Sequence, residues 1–471
     1  MPQVRTVWKG NDMSTNSSSS TAPSGTWLQK WEPENQAFWA SGGAGRAWTT
    51  LTITTLNLTM AFIVWFMVSA LVVRLPQIGF QFTPSQLFWL AAMPGLAGGS
   101  LRLIHMFLTP MYGTRHVVSL STLSLLIPLV GWFYAVQNPA TPFWLLMVWA
   151  FLAGLGGGNF SSFMPSTSMF FPKRLQGTAL AIQAGIGNFG VSIVQFVTPW
   201  IIGFGLMGGA TWIGGSQTLT KGEVVSQVFL QNAPLVMIPF VVVFGISAWL
   251  LLKSIPVKAN FAQQFDIFGS RHTWAMTSLY IMTFGAFSGL SATFPLLIKN
   301  IFGGFEGAPD PLAWAFYGPL VGSAARVAAG PLSDKLGGAR VTHYAGIGML
   351  ACAILVTMNV TPTSLDAFPM FVWAMLGLFF FAGVGNASTF KQMPMLFEPR
   401  QASGVIGFTA AIAAYGPFLF GMMFAWAFAK NADGVATTGA SPIFYGLAVF
   451  FAFNVALNWL MYARKGAANP C

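Results

Sequence analysis

Residues 154–165 read GLGGGNFSSFMP and residues 383–394 read GVGNASTFKQMP; the two stretches align without a gap and both end in Met-Pro. Each lies inside a long apolar run, the first at 142–171 and the second at 367–397. A second spacing repeats beside it: Arg102 stands eleven residues before Gly113, and Arg326 eleven before Gly337. The similarity is weak residue by residue, but it falls at corresponding runs in the two parts of the chain. Such correspondence is what a membrane carrier built from two related helical halves displays.

Working outward, twelve runs are long enough to cross a bilayer as helices. The first six cover roughly 49–73, 86–109, 116–136, 142–171, 175–207 and 232–253, and the second six roughly 273–299, 311–334, 340–361, 367–397, 401–429 and 440–463. The longest polar link, 254–272, separates six from six. The expected organisation is a cytoplasmic tail at 1–47, one half at 48–253, the central loop at 254–272, a second half at 273–464 and a short tail at 465–471. Composition agrees. Of 471 residues 55% are hydrophobic and only 33 (22 Lys and Arg, 11 Asp and Glu) are charged, against roughly a quarter charged in soluble domains. That excludes a soluble enzyme, a disordered chain and a secreted disulfide scaffold. The apolar runs are continuous rather than alternating, which excludes a β-barrel. The fold class is all-α, with twelve transmembrane helices in two pseudo-symmetric six-helix halves. Cys352 and Cys471 form no disulfide framework.

The net charge of +11 does not indicate nucleic acid, because the cations lie singly or in pairs between the apolar runs. Fifteen of them fall in the N-terminal segment, the C-terminal tail and the links after even-numbered runs; only Arg74, Lys221, Lys299 and Lys430 follow odd-numbered runs. Cytoplasmic loops carry the excess of Lys and Arg, so both termini are expected in the cytoplasm. The polar start of the chain, with Ser17–Ser20, reads as disordered. The segment WEPENQAFW, Trp31–Trp39, reads as an amphipathic stretch at the membrane surface or as a docking element.

The remaining three cations, Arg102, Arg326 and Lys391, lie inside predicted spans. At 1.5 Å per residue, eleven residues place Arg102 and Arg326 roughly 16 Å from their loops, close to the middle of a hydrocarbon core about 30 Å thick. An arginine there costs roughly 2.5–3.5 kcal/mol on insertion scales and normally faces a cavity and a partner. All eleven acids fall in tails, links or span ends. The missing negative charge is then supplied by a mobile anion. Arginine suits an oxyanion because its planar fork donates two parallel hydrogen bonds and keeps its proton. The alternative is that each arginine bonds backbone carbonyls and ties helices together.

The run GTALAIQAGIGNFG, Gly177–Gly190, holds Gly177, Gly185, Gly187 and Gly190. Small faces of this kind pack helices closely and also let helices rock past one another. Asn188 among them bonds either a ligand or a neighbouring helix. The motif GPLSDKLGGAR, Gly330–Arg340, resembles the loop motif G-x-L-x-D-x-x-G of the major facilitator superfamily; its Asp334 and bases including Arg340 can pair across helix ends in one conformation and part in another.

Five stretches together resemble the nitrate/nitrite porters of that superfamily. They are GSLRLIHMFLTPMYG with Arg102, GNFSSFMPSTSMFFPKRLQGTAL with Phe160, AGIGNFGVSIVQ with Asn188, SLYIMTFGAFSG with Tyr280 and Phe284, and FYGPLVGSAARVAAGPLSDKLGGARVT with Arg326. The opening WEPENQAFW resembles the NarK-like bacterial branch. The resemblance runs from Trp31 onward. It implies that Arg102 and Arg326 clamp nitrate while Phe160, Tyr280 and Phe284 pack on the planar ion; ordinary core packing is the alternative for the rings. Tyr280 and Phe284 are four apart and share a helical face. The chain departs from the family at Ala184, where glycine is usual, at Gly404–Gly416 with its alanines, at Lys391, and at His105 three residues after Arg102.

The expected function is import of nitrate in exchange for nitrite across a bacterial inner membrane, serving nitrate assimilation, by a monomer without cofactor or metal. Two unpaired buried cations repel in a dry cavity, so the carrier reorients when loaded. The alternatives are a nitrate/proton symporter, with His105 and Lys391 as candidate coupling groups, and an anion channel. No enzyme motif is present.

Overall fold

The computed structural model describes residues 25–205, 214–221, 224–255, 262–430 and 437–467. The serine-rich start, residues 256–261 of the central link, Asp433 and Cys471 lie outside the described residues.

Ten helical stretches among the described residues are long and apolar enough to cross a membrane. Twelve were expected from the sequence, and the difference has two physical causes. Pro84–Ala135 forms one stretch of 52 residues, far more than the roughly 20 that a crossing needs. It is broken at Gly113, where φ is 78°. The helix Tyr317–Leu336, which carries Arg326, Asp334 and Lys335 among glycines and alanines, is helical without being strongly apolar. It too ends on a left-handed residue, Gly337 with φ 88°. The equal spacing from each arginine to its glycine therefore marks two corresponding turns, and only glycine adopts that backbone without strain. At Gly113 a side chain would also run into Ser254 and Trp27.

The helix Ala44–Leu71 is central, with every residue from Met60 to Leu71 buried. It packs on Lys173–Ile201 and Leu155–Ser168. Trp373 and Val449, by contrast, are about seven-tenths exposed, which places them on the lipid-facing surface. The aligned repeat has a packing meaning. A side chain at Gly156 would strike the Ala61 carbonyl, and one at Gly383 would strike Gly322, so both stretches permit close helix approach. Gly185, Gly187 and Gly190 likewise face Val327, Leu58 and the Thr59–Phe62 turn, whereas Gly177 is exposed with open space around it.

Helices before residue 254 meet those after residue 262 along two seams, Pro84–Leu123 against Gly416–Ala427 and Lys173–Ile201 against Tyr317–Leu336. At the end opposite the chain termini, Gln195 Nε2 donates to the Ser291 carbonyl (2.8 Å), Lys299 Nζ to the Val73 carbonyl (2.8 Å) and Arg74 Nη2 to Asp310 (2.8 and 3.0 Å). An antiparallel hairpin, Gln217–Lys221 with Val224–Val228, was not read from the sequence.

The Trp31–Trp39 segment docks on protein. Trp31 packs on Phe170 at 5.0 Å between ring centres and Trp39 on Phe171 at 5.9 Å. Glu34 Oε1 accepts the Lys173 backbone N–H at 2.8 Å, capping the Lys173–Ile201 helix where its amides are otherwise unpaired.

Candidate functional site

Arg102 is fully buried and Arg326 is 3% exposed. Arg102 reaches its place from the middle of the Pro84–Leu123 helix. Its Nε donates to the Gly157 carbonyl and its Nη1 to the Ala410 carbonyl, each at 2.8 Å. The second bond crosses between the N-terminal and C-terminal helices. The Gly157 carbonyl is reachable because positions 156–158 are glycines, which let the helices close up. Arg102 Nη2 and Arg326 Nη1 are buried without a hydrogen-bond partner. The ion pairs among the described residues are Lys30–Glu32, Arg74–Asp310 and Lys391–Asp334, so neither central arginine is neutralised by a carboxylate. The carbonyl-bonding alternative weighed from the sequence therefore holds for part of Arg102 and leaves one N–H of each arginine free.

Aromatic rings enclose both guanidinium groups. Arg102 lies 4.6 Å from the Phe160 ring centre, 5.2 Å from Phe284 and 5.3 Å from Trp65, while Arg326 lies 5.3 Å from Phe390. Cation–π attraction over such distances is strongest away from water. The helix from Arg271 onward widens into a π turn at Ile281–Gly285, and π turns recur at functional sites. The rings of Tyr280, just before it, and Phe284, within it, stack at 5.4 Å with only 7° between their planes. Phe160 stacks on Phe284 at 6.3 Å, and Phe390 meets Tyr280 at 4.9 Å. Through Phe390 and Tyr280 the ring contacts link Arg326 to Phe284 and Arg102. The fold thus gathers Arg102, Arg326, Phe160, Tyr280 and Phe284 into one cluster. Asn188 is fully buried, and neither its amide oxygen nor its nitrogen has a partner. Its neighbours Gly187 and Gly190 face Leu58 and Phe62, and Phe62 meets the Phe160 ring edge-on.

Trp65 and Phe390 were missed. Trp65 sits in a run of apolar residues where an aromatic is unremarked, and its Nε1 donates to the Pro94 carbonyl. Phe390 had a signal: it lies within the aligned repeat, one position beyond the counterpart of Phe160.

Lys391 lies near the end of its helix. The helix Ala367–Leu396 has 30 residues, longer than the hydrocarbon core, and the Lys391 side chain is 44% exposed and pairs with Asp334. Asp334 thus pairs with Lys391, and Arg340 makes no ion pair among the described residues. His105 is buried, and its Nδ1 is hydrogen-bonded to Ser162 Oγ at 3.0 Å.

A model of the Major Facilitator Superfamily matches residues 53–421. The probable nitrate/nitrite antiporter NarK2 of Thermus thermophilus is 63% identical over 448 residues, 95% of this chain and 99% of that one. The chain belongs to the nitrate/nitrite transporter family of this superfamily. The nitrate/nitrite transporter NarU of Salmonella typhimurium is 38% identical over 462 residues, 93% of this chain and 96% of the relative. Among solved structures, a bacterial homolog of the human lysosomal transporter Spinster, inward-facing and occupied, superposes with TM-score 0.62 at 15% identity, covering 87% of this chain and 95% of that one. That likeness concerns the fold of this family alone.

Proposed function

We propose that the chain carries nitrate and nitrite across a bacterial cytoplasmic membrane by alternating access, importing nitrate in exchange for nitrite. It does so as a monomer of twelve crossings in two halves, 48–253 and 273–464, with both termini in the cytoplasm. The pairing of helices supports the two-half reading. The second crossing packs on the fourth, and the eighth on the tenth; across the seam the second meets the eleventh and the fifth meets the eighth, which is the same contact under a two-fold exchange of halves.

One observation carries the substrate reading: two buried guanidinium groups, each with an uncommitted N–H, stand among stacked rings with no carboxylate partner among the described residues. A flat anion satisfies both demands, its edge oxygens accepting from the arginines while its faces meet Phe160, Phe284 or Tyr280. Phe390 and Asn188 complete the surroundings. An empty site leaves two positive charges in a low-dielectric centre, which disfavours closure around nothing; an occupied site is partly neutralised. Exchange follows. Gly185, against Val327, provides a close face on which the halves rock, Gly187 and Gly190 pack helices within the first half, and the Lys391–Asp334 pair ties helix ends within the second half.

The test is counterflow of labelled nitrate into proteoliposomes preloaded with nitrite, with and without a pH gradient. Uptake follows the internal nitrite load. Strong uptake into anion-free vesicles driven by an inward proton gradient, and lost in His105→Phe, overturns exchange in favour of symport.

A further inference from the structure

The end of the bundle opposite the termini holds a second group of cations that the central site does not use. Arg74, just beyond the Ala44–Leu71 helix, has a side chain 7% exposed and grips both carboxylate oxygens of Asp310. Its Nη1 donates to Gln77 Oε1 at 3.2 Å, and its Nε is buried without a partner. Lys299, from the C-terminal helices, donates to the carbonyl of Val73, the residue next to Arg74. Two cations thus come together from opposite sides of the seam, Arg74 paired with the Asp310 carboxylate and Lys299 held on the backbone beside it. Asp310 has a separate anchor among the C-terminal helices, where its Oδ1 accepts the Leu312 N–H at 2.9 Å. Glu306, the other acid of that link, is exposed and pairs with neither cation.

When the seam opens at this end, Asp310 stays with its helix cap and Arg74 with Gln77. A two-pronged guanidinium is then left facing the aqueous mouth, with the Lys299 ammonium across from it. We propose that Arg74 and Lys299 form a capture site for a monovalent oxyanion at the outer mouth, where the incoming anion takes the place of the Asp310 carboxylate on Arg74. This rests on the nitrate/nitrite reading and adds to it a second station, distinct from the Arg102–Arg326 centre. Carboxylate and nitrate present the same pair of coplanar oxygens to a guanidinium. Asp310 therefore acts as the resident competitor, closing the mouth when no anion is there.

The experiment measures the half-saturating nitrate concentration for exchange at each face of oriented proteoliposomes. Arg74→Gln and Lys299→Gln raise it roughly three- to tenfold at the outer face and leave the inner face unchanged. Asp310→Asn lowers it at the outer face, because the competitor is gone. Arg74→Lys, which keeps the charge, stays between native and Arg74→Gln and serves where Arg74→Gln does not fold. A simple latch gives a different pattern: Arg74→Gln and Asp310→Asn both break it and shift the outer value in the same direction. That result, or no face-specific shift at all, overturns the capture site. Arg102→Lys losing exchange from both faces tests the transport reading separately.

Discussion

Replacing Arg102 by Lys keeps the charge and removes the geometry. In the native protein Nε and Nη1 are spent on the Gly157 and Ala410 carbonyls, and Nη2 remains for an anion. A lysine has one nitrogen, which cannot meet two carbonyls on different helices and an oxyanion in one plane. If the ammonium turns to a carbonyl, the anion loses one charge-assisted hydrogen bond, worth about 1.5–3 kcal/mol, so nitrate binding weakens roughly 10- to 150-fold. If it turns to the anion, both carbonyls lose their arginine donor, Ala410 keeping the Ala414 N–H at 3.2 Å, at a stability cost of about 0.5–1.5 kcal/mol each. Titration calorimetry on purified protein, paired with a thermal melt, separates these outcomes, and counterflow reports the consequence for exchange. A folded Arg102→Lys protein that binds nitrate within about threefold of native would falsify the assignment of this arginine to the anion site.

Phe390→Ala and Phe160→Ala each remove a ring lying against a buried guanidinium, at 5.3 and 4.6 Å; nitrate affinity falls roughly 3- to 30-fold, and a binding loss that only follows the folded fraction makes the rings ordinary packing. Gly337→Ala forces a side chain into φ 88° and lowers stability by about 1–2 kcal/mol, read as a fall in melting temperature; an unchanged melt contradicts the strained-turn account. Glu34→Ala uncaps the Lys173–Ile201 helix and costs about 1 kcal/mol, visible as faster amide exchange at residues 173–176 in labelled protein and absent if the cap is incidental.

Much of the architecture was legible because lipid imposes a simple demand: backbone groups must be satisfied within long apolar helices. The two arginines were legible for the same reason, since charge inside such a run stands out. The Tyr317–Leu336 helix shows the limit of hydropathy, because its Arg326, serines and glycines face protein and its apolarity is diluted. The depth of Lys391 was not legible, because a 30-residue helix is longer than the roughly 20 residues a crossing needs and membership in a span does not fix depth. Trp65 could not be separated from other core aromatics, and Phe390 carried only its place in the repeat, since their role depends on where rings from four helices converge. The Arg74–Asp310 pair joins residues 236 positions apart, a distance no local pattern reports.

The unneutralised arginine pair also has an electrical consequence. A single anion moving inward against an inside-negative potential is opposed by about 2.3 kcal/mol for each 100 mV. Arg102 and Arg326 stay attached to their helices, so one nitrate travelling in and one nitrite travelling out leave the same charge on each side after a full cycle. Exchange by this site is then blind to membrane voltage at equilibrium. The ratio of the two anions across the membrane sets its direction, and a cell that has lost its potential continues to trade one for the other.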